Sequence, residues 1–292
     1  MKQQTEAFLT YIRCELNLSA HTVLSYKGDL NQWLGYLGTD DADPATIDIN
    51  DLRGWVAQLA SDGLTQRSIR RKIQTLRAFF TFMMKRFGLK TNPAAELIPG
   101  RMAKTLPRVV APDITARVID LPVDPTDFTA VRDRLAIDML YSTGMRASEL
   151  TGLLDTDVNC GKGELKVLGK RNKERIIPFG NELRQMIDQY RQIRPATAST
   201  AFFVRSDGRP MSYAMLRGIV RREFAGSGAS PTPHWLRHSF ATDMLNDGAG
   251  LNAVKDLLGH ASLSTTQIYT HLSYSELKQN YQLAHPRAQK KR

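Results

Sequence analysis

The sequence predicts a mainly α-helical protein with one small β-hairpin, divided into two domains. Three observations carry this prediction. Apolar residues recur at the spacing of amphipathic helices along most of the chain. A stretch rich in proline and glycine interrupts that pattern after residue 90. One alternating segment, residues 163–180, surrounds a polar basic turn and has the form of two short strands.

The bulk composition narrows the class of protein. A chain of 292 residues that is 42% hydrophobic can bury one large core or two ordinary ones, which excludes global disorder. No apolar run approaches the roughly 20 residues that span a bilayer. The first residues, which include Glu6, Arg13 and Glu15, predict a helix and not a signal peptide. Cys14 and Cys160 stand far apart, which disfavours disulfides or a cysteine zinc site and fits a reducing cytoplasm.

The formal net charge of +11 indicates a polyanionic partner. Nucleic acids and anionic membrane surfaces both attract such an excess of basic residues. Because the chain has no candidate membrane segment, nucleic acid is the leading partner.

Three helices are predicted first. The segment "AFLTYIRCELNL" is followed by residues 19–38, where Ser19 is a suitable N-cap and Gly38 a suitable stop. The third helix is "INDLRGWVAQLASDG".

The fourth helix, about residues 65–87, has the clearest pattern. Its apolar face consists of Ile69, Ile73, Leu76, Phe80, Met83, Met84 and Phe87. The basic residues that project mainly from the other side are Arg67, Arg70, Arg71, Arg77 and Lys85. No acidic residue occurs from Gln66 to Lys90. A solvated face is the ordinary interpretation, but uncompensated like charges favour contact with phosphates.

Residues 99–111 are the predicted linker between the two domains. Pro93, Pro99, Gly100, Pro107 and Pro112 make a continuous helix across this region unfavourable. The predicted domains are therefore 1–98 and 112–292.

The second half begins near residue 108, and a long helix at about 127–142 is followed by "STGMRASEL". After the hairpin come the helix "NELRQMIDQYRQI" and a helix that ends at Gly259. Ser264 and Gln267 form a capping box, so a new helix is predicted there, with Tyr269 about one turn into it.

The segment "PHWLRHSFATDML" contains the first candidate site residues. His234 and His238 stand four apart and share a face if the segment is helical. Trp235 occupies the place of the glutamate in the HExxH zinc motif, which argues against zinc catalysis. Arg237 beside His234 suits recognition of an anionic oxygen, although a surface arginine with a structural histidine is the alternative.

Two further candidates are basic. Arg146 follows a largely apolar run, and Glu149 is placed to hold it by an ion pair, in either a functional or a purely structural role. The hairpin turn carries Lys170, Arg171, Lys173 and Arg175. An ammonium there can enter a DNA groove or deliver a proton, and local chemistry does not choose Lys170 over Lys173.

Together, the arginines, lysine, histidines and Tyr269 suit attack on a phosphodiester without a metal ion. A tyrosine hydroxyl is a weak nucleophile at its free pKa of about 10. Fixed cations can stabilise the charge that develops on the phosphate oxygens, in place of metal ions. A covalent phosphotyrosine retains the energy of the phosphodiester, so strands could be rejoined without ATP.

Here the sequence resembles the tyrosine recombinases of the phage-integrase superfamily, and most closely the bacterial Xer recombinases. The resemblance covers nearly the whole chain. Its motifs, which occur in the family's order, are "TGMRASEL", "GKRNKERIIPFG", "HWLRHSFATDML", "LLGHASLSTTQIYTH" and "HPRA". In the first domain, "NLSAHTVLSYKGDLNQWLGYL" and "RSIRRKIQTLRAFFTFMMKRFGLKTNPA" are similar to helices of the family's DNA-contacting domain.

The resemblance implies a set of phosphate-binding residues. Arg146, His234 and Arg237 would bind and activate the scissile phosphate, and His260 would hydrogen-bond it. Glu149 would support Arg146.

The resemblance also implies the chemistry. Tyr269 would attack phosphorus to give a 3′-phosphotyrosyl link and a free 5′-hydroxyl. Lys170 would protonate the leaving oxygen, and His234 would help manage the tyrosine proton. No metal or other cofactor is expected.

The resemblance further implies a C-shaped clamp on double-stranded DNA in the cytoplasm, associated with the nucleoid. Four protomers, identical or paired with a paralogous recombinase, would exchange strands through a Holliday junction. The terminal helix would dock on a neighbouring protomer. The expected task is resolution of chromosome dimers at a dif-like site, with a septal DNA translocase as activator. A mobile-element integrase or invertase, a type IB topoisomerase and a catalytically silent DNA-binding regulator are the alternatives.

Overall fold

The protein forms two compact units, residues 1–105 and 106–292. The structure is a computed structural model, and it describes residues 1–39, 42–100, 110–169, 174–228, 231–259 and 274–285. Within that part of the chain the secondary structure is mainly helical, with one small sheet, as the sequence predicts. No described helix combines the length and the apolar composition that a membrane crossing requires.

The N-terminal unit is built from four helices: α1 (Lys2–Cys14), α2 (Ala20–Leu37), α3 (Ile49–Ser61) and α4 (Gln66–Phe87). The predicted boundaries of α2 are confirmed. Ser19 accepts a hydrogen bond from the amide of Thr22, and Gly38 ends the helix in the left-handed conformation. The first helix starts and ends earlier than predicted.

Aromatic side chains dominate the core of this unit. Trp33 and Trp55 meet edge to face with ring centroids 5.3 Å apart, and Phe8 meets Phe79 in the same manner at 5.6 Å. On α4, Phe79 and Phe82 are buried. Met84 and Phe87, which were predicted for the apolar face, are 40% and 49% exposed, although the ring of Phe87 packs on Phe82 with centroids 5.7 Å apart.

A buried carboxylate ties α2 to α4. Asp29 accepts hydrogen bonds from Lys72 Nζ and Thr75 Oγ1, each at 2.8 Å, and it pairs with Arg71. Lys72 is buried as well, and Asp29 supplies its ion-pair partner. Part of the basic face of α4 therefore serves the fold of the unit.

The C-terminal unit contains the remaining described helices. These are α5 (Pro112–Asp120), α6 (Phe128–Thr143), α7 (Ala147–Thr151), α8 (Asn181–Ile193), α9 (Tyr213–Glu223), α10 (Pro233–Asn246), α11 (Leu251–Leu258) and α12 (Tyr274–Ala284). Helix α6 is buried on nearly all sides and forms the centre of the unit. Helices next to α6 in the chain and in space, including α7 and α10, carry residues of the candidate site.

The sheet has three antiparallel strands in the order β1 (Val158–Asn159), β2 (Glu164–Leu168) and β3 (Glu174–Pro178). The predicted hairpin is β2 and β3; the two-residue β1 was not predicted. Leu165 pairs with Ile177, and Val167 pairs with Arg175. Since alternate residues of a strand share a face, Arg175 lies on the same face of β3 as the buried Ile177.

The terminal helix packs within the chain. Tyr281 and Ala284 of α12 are buried in the core of the C-terminal unit, where α12 contacts α10, α11 and β3. The ring of His285 stacks on Tyr281 with centroids 5.1 Å apart. In this single chain the side chains of Tyr281 and Ala284 are buried by their own unit. Docking of the terminal segment on a neighbouring protomer stays a prediction.

Candidate active site

Arg146 is presented by a tight turn between α6 and α7. Gly144 ends α6 with φ +60°, and a Cβ at this position would overlap the ring of Phe240. Glycine is therefore required both for the backbone conformation and for the close approach. The turn places Arg146 directly before α7, with 36% of its side chain exposed. The guanidinium can reach a ligand while its other side contacts protein.

Glu149 holds Arg146 from the protein side. Its carboxylate accepts hydrogen bonds from the Arg146 amide and from Arg146 Nη1, both at 2.7 Å. The ion pair predicted from the sequence is therefore present. Burial raises the pKa of Glu149, but hydrogen bonds from Arg175 and Arg146 outweigh it and hold that pKa below its ordinary value. Glu149 is a buried anion that stays ionised at neutral pH.

Arg175 is the residue of this cluster to which the sequence assigned no role. It was grouped with the basic turn, whereas the structure turns its side chain inward from β3, where only 12% is exposed. Its Nη1 and Nη2 donate to the two carboxylate oxygens of Glu149 at 2.9 and 2.8 Å. The strand alternation that buries Ile177 was the available signal for this placement.

Arg237 is held by main-chain carbonyls. It lies buried on α10 and donates from Nη1 to the carbonyl of Gly144 and from Nη2 to that of Leu258, both at 2.6 Å. Burial, followed by the charge of Arg146, lowers its pKa to about 10, against the opposing effect of Glu149. Arg237 therefore remains cationic at neutral pH.

The C-terminal end of α11 is where these arginines converge. Successive carbonyls of Leu257, Leu258 and Gly259 accept hydrogen bonds from Arg175, Arg237 and Arg146 at 2.7, 2.6 and 3.4 Å. A helix C-terminus carries partial negative charge, which cations stabilise. The three guanidiniums and the one carboxylate leave two positive charges uncompensated within the cluster. Such a cluster suits a phosphate or another oxyanion.

His234 and His238 lie on one face of α10, as their spacing predicts. Their Nε2 atoms are 3.1 Å apart, so one ring donates to the other. His234 is exposed and His238 is half-buried. Within the described ranges, no group of three or more His, Cys, Asp or Glu side chains is placed to hold a metal ion.

Lys170, His260 and Tyr269 lie outside the described residues. The capping box of Ser264 and Gln267, predicted for the helix that carries Tyr269, lies outside them as well. The chain places Lys170 in the segment between β2 and β3. His260 directly follows Gly259, which ends α11 with φ +63° as predicted. Tyr269 precedes α12 by five residues.

The basic candidates on α4 separate into two groups. Arg67, Arg70 and Lys85 are exposed, and Arg71 is also exposed although it pairs with Asp29.

Arg77 differs from the rest of that face. Its Nε donates to the carbonyl of Ala94 at 3.1 Å, and its Nη2 donates to those of Ala95 and Leu97 at 3.3 and 2.5 Å. The guanidinium of Arg77 thus holds the turn after α4, a role different from the phosphate contact that we predicted for it.

Family models match both units. Residues 114–276 match the model described as "Phage integrase family", and residues 5–86 match "Phage integrase, N-terminal SAM-like domain".

Among curated proteins, the chain is similar over its full length to proteins named tyrosine recombinase XerC. It is 36% identical to the one from Staphylococcus carnosus, covering 100% of both chains, and 35% identical to the one from Alcanivorax borkumensis, covering 99% and 96%. It is also 34% identical to tyrosine recombinase XerD from Listeria innocua, covering 99% and 100%.

Solved structures agree on the fold. A lambda integrase fragment, crystallised as a dimer bound to a core site, matches with a TM-score of 0.70 at 18% identity, covering 92% of this chain and 98% of that one. The Tn1549 transposon integrase in complex with transposon end DNA gives a TM-score of 0.69 at 18% identity, covering 90% and 95%.

The depressed pKa of Glu149 predicts a specific pH dependence of stability. In acid, the unfolded protein holds a proton on Glu149 more readily than the folded protein does. The stabilisation that ionised Glu149 provides is therefore complete above its unfolded-state pKa and is lost as the pH falls through its folded-state pKa. We expect Glu149→Gln to cost about 3 kcal/mol near neutral pH. The difference from the wild type should shrink only as the pH falls below about 4, as measured by thermal unfolding.

Glu174→Gln is the matched control. Glu174 also forms an ion pair, with Lys166 at 2.9 Å, but both side chains are exposed. Its removal should change the Tm little at either pH. If Glu149→Gln kept a constant stability deficit from neutral pH to acid, the assignment of Glu149 as a buried, ionised anion would be wrong.

Proposed function

Because the chain belongs to the phage integrase family of site-specific tyrosine recombinases, which are DNA strand-exchange enzymes, we propose the following chemistry for its residues. The phenolic oxygen of Tyr269 attacks the scissile phosphorus, and the bond from phosphorus to the 5′ oxygen breaks. The products are a 3′-phosphotyrosyl link and a free 5′-hydroxyl. The tyrosine loses its proton, and Lys170 supplies one to the leaving oxygen. Rejoining reverses these steps with a 5′-hydroxyl as the nucleophile.

The observation that carries this proposal is the pair of arginines at the end of α11. Arg146 and Arg237 are fixed from the protein side by Glu149 and by carbonyls, and the same helix end leads directly into the segment with His260 and Tyr269. Donors that are already oriented stabilise charge developing on phosphate oxygens without reorganising during the reaction. This arrangement supports binding of the scissile phosphate by the two guanidiniums.

The two histidines of the family pattern complete the phosphate site in this proposal. We assign His260 a hydrogen bond to a nonbridging oxygen. We assign His234 a second phosphate contact and a share in handling the Tyr269 proton. The exposure of His234 supports this role, and its contact with His238 on the same face of α10 helps to hold the ring in place.

Double-stranded DNA is the proposed substrate, and α4 supplies phosphate contacts from the N-terminal unit. Arg67, Arg70, Arg71 and Lys85 are exposed on this helix, and the chain carries a formal charge of +11. Both predicted domains, residues 1–98 and 112–292 with the 99–111 linker between them, would contact the duplex.

The proposed biological task is resolution of chromosome dimers at a dif-like site. Full-length similarity to proteins named XerC and XerD supports it over mobile-element integration. The reaction requires four protomers on two sites and passes through a Holliday junction. The tetramer contains either this chain alone or this chain with a paralogous recombinase. A septal DNA translocase is the proposed activator.

The task predicts where the protein reacts in the chromosome. We expect covalent adducts, mapped genome-wide in cells that encode the protein, to cluster at one locus near the replication terminus. Adducts at the ends of a mobile element would overturn dimer resolution and favour the integrase alternative.

The mapped site allows a direct test of the chemistry. A nicked suicide duplex that carries the site should trap a covalent protein–DNA adduct on a denaturing gel. Tyr269→Phe should abolish the adduct and leave DNA binding intact, because only the nucleophilic oxygen is removed. Arg146→Ala and Arg237→Ala should each slow adduct formation by about 100-fold or more.

Tyr36→Phe is the control for loss of a tyrosine hydroxyl elsewhere. Tyr36 lies on α2 in the N-terminal unit and is partly exposed, so this variant should react like the wild type. An adduct that persists in Tyr269→Phe would refute the assignment of the nucleophile.

The contrast between Arg67, Arg70 and Arg77 gives a second test. Arg67→Ala and Arg70→Ala should each flatten the plot of log affinity for DNA against log salt by up to about 0.9. Arg77→Met should leave that slope unchanged and lower the Tm, because three carbonyls lose their donor. Unchanged slopes for Arg67 and Arg70 would exclude this face from phosphate contact.

A further inference from the structure

We propose that Arg175 is a positioning residue for DNA cleavage, which fixes Glu149 and the end of α11 and thereby orients Arg146. The proposal rests on the function proposed above for Arg146. Arg175 itself would not touch the phosphate. It would act through the carboxylate and the carbonyl to which it is bonded.

The contacts of Arg175 use each of its three nitrogens. Nη1 and Nη2 meet the two carboxylate oxygens of Glu149, and Nε donates to the carbonyl of Leu257 at 2.7 Å. A planar guanidinium matches a carboxylate with two parallel hydrogen bonds, which fixes the plane of both groups. One side chain on β3 therefore ties α7 to α11.

The position of Arg175 on the strand makes this contact a requirement of the fold. It shares a face of β3 with Ile177, which is fully buried, and it lies opposite Val167, which is also buried. A charge on the inner face of a hairpin is costly unless it is paired and hydrogen-bonded. Glu149, with 4% of its side chain exposed, is the paired carboxylate. The positive charge of Arg175 in turn compensates the negative charge of Glu149.

Glu149 distributes its hydrogen bonds so that the two arginines depend on each other. Each of its oxygens accepts one bond from Arg146 and one from Arg175. Without Arg175 the carboxylate would keep only Arg146, three residues away, and could rotate with it. With Arg175 in place, the carboxylate is fixed, and the partly exposed guanidinium of Arg146 is fixed with it.

The same arginine supports the end of α11. Leu257 gives its carbonyl to Arg175, and the next carbonyl, of Leu258, goes to Arg237. A Cβ at Gly259 would lie 3.3 Å from both Cδ and Nη1 of Arg175, so the last turn runs closely over this side chain. Arg175 therefore contacts Glu149, which supports Arg146, and Leu257, which adjoins the carbonyl that Arg237 uses.

The test is single-turnover cleavage of the nicked suicide duplex by the full-length protein. Arg175→Lys keeps the charge, but a single ammonium cannot span both carboxylate oxygens and the Leu257 carbonyl. Arg175→Met keeps the length without the charge. We expect both variants to form the adduct about 10- to 100-fold more slowly, since small displacements of a positioned group have effects of that size. The Kd for the duplex should change less than about 3-fold, because a positioning residue affects the transition state more than it affects binding of the uncleaved DNA.

A double-mutant cycle separates positioning from general loss of structure. If Arg175 acts through Arg146, then adding Arg175→Met to Arg146→Ala should cause little further loss of rate. Losses that multiply in the double variant would mean that Arg175 acts independently of Arg146, and would overturn the proposal. Cleavage at the wild-type rate by Arg175→Lys would overturn it as well, because charge alone would then suffice.

Arg194 offers a matched control. It also forms two hydrogen bonds to a carboxylate, that of Asp155, and one to a carbonyl, that of Phe202, and none of these partners is a described site residue. Arg194→Lys should lower the Tm and leave the rate of adduct formation within about 2-fold of the wild type. A comparable loss of rate in Arg194→Lys would show that slower cleavage follows from lost stability alone, against the proposal.

The outcomes distinguish this inference from the function on which it rests. Wild-type adduct formation by Arg146→Ala would refute the proposed function of the site, whatever Arg175 does. Loss of the adduct in Arg146→Ala together with full rates in both Arg175 variants would refute only the positioning role. If Arg175→Met does not fold, the lysine variant, which retains the charge, decides the question through its rate and its own cycle with Arg146→Ala.

Discussion

The buried carboxylate of Glu149 is the interaction on which the candidate site depends. It is a single negative charge that accepts hydrogen bonds from two arginines, and those arginines come from a helix start and a strand. A buried anion stays ionised only where cations and donors surround it, so α7 and β3 must approach one another here. Helix α11 joins this contact because its terminal carbonyls accept hydrogen bonds from N–H groups of Arg146 and Arg175 that do not bond to Glu149.

The geometry follows from this constraint. Gly144 turns the chain so that Arg146 faces Glu149, and Phe240 allows no side chain at that turn. The carbonyl of Gly144 accepts from Arg237, so the turn that exposes one arginine also fixes the other. Both guanidiniums thus have rigid acceptors on the protein side. Within the described residues, this is preorganisation of the type that phosphoryl transfer without a metal ion requires.

Sequence reasoning succeeded where the cause is local. The cap at Ser19, the glycines that end α2 and α11, the hairpin, and the pairing of Arg146 with Glu149 all involve residues close together in the chain. It missed contacts that only folding creates. Arg175 meets Glu149 from 26 positions away and Leu257 from 82, and Arg77 turned out to hold a loop up to 20 residues later. Charge alone does not tell a phosphate contact from such an internal bond.

The two arginines of the site differ in how they can be lost by mutation. Arg146 relies on the side chain of Glu149, so one codon change elsewhere can deprive it of support. Arg237 relies on the carbonyls of Gly144 and Leu258, which every amino acid carries. Substitutions at Leu258 that preserve the helix leave its acceptor intact, whereas Gly144 is constrained by its own backbone. Mutations at neighbouring residues should therefore remove the support of Arg146 much more readily than the support of Arg237.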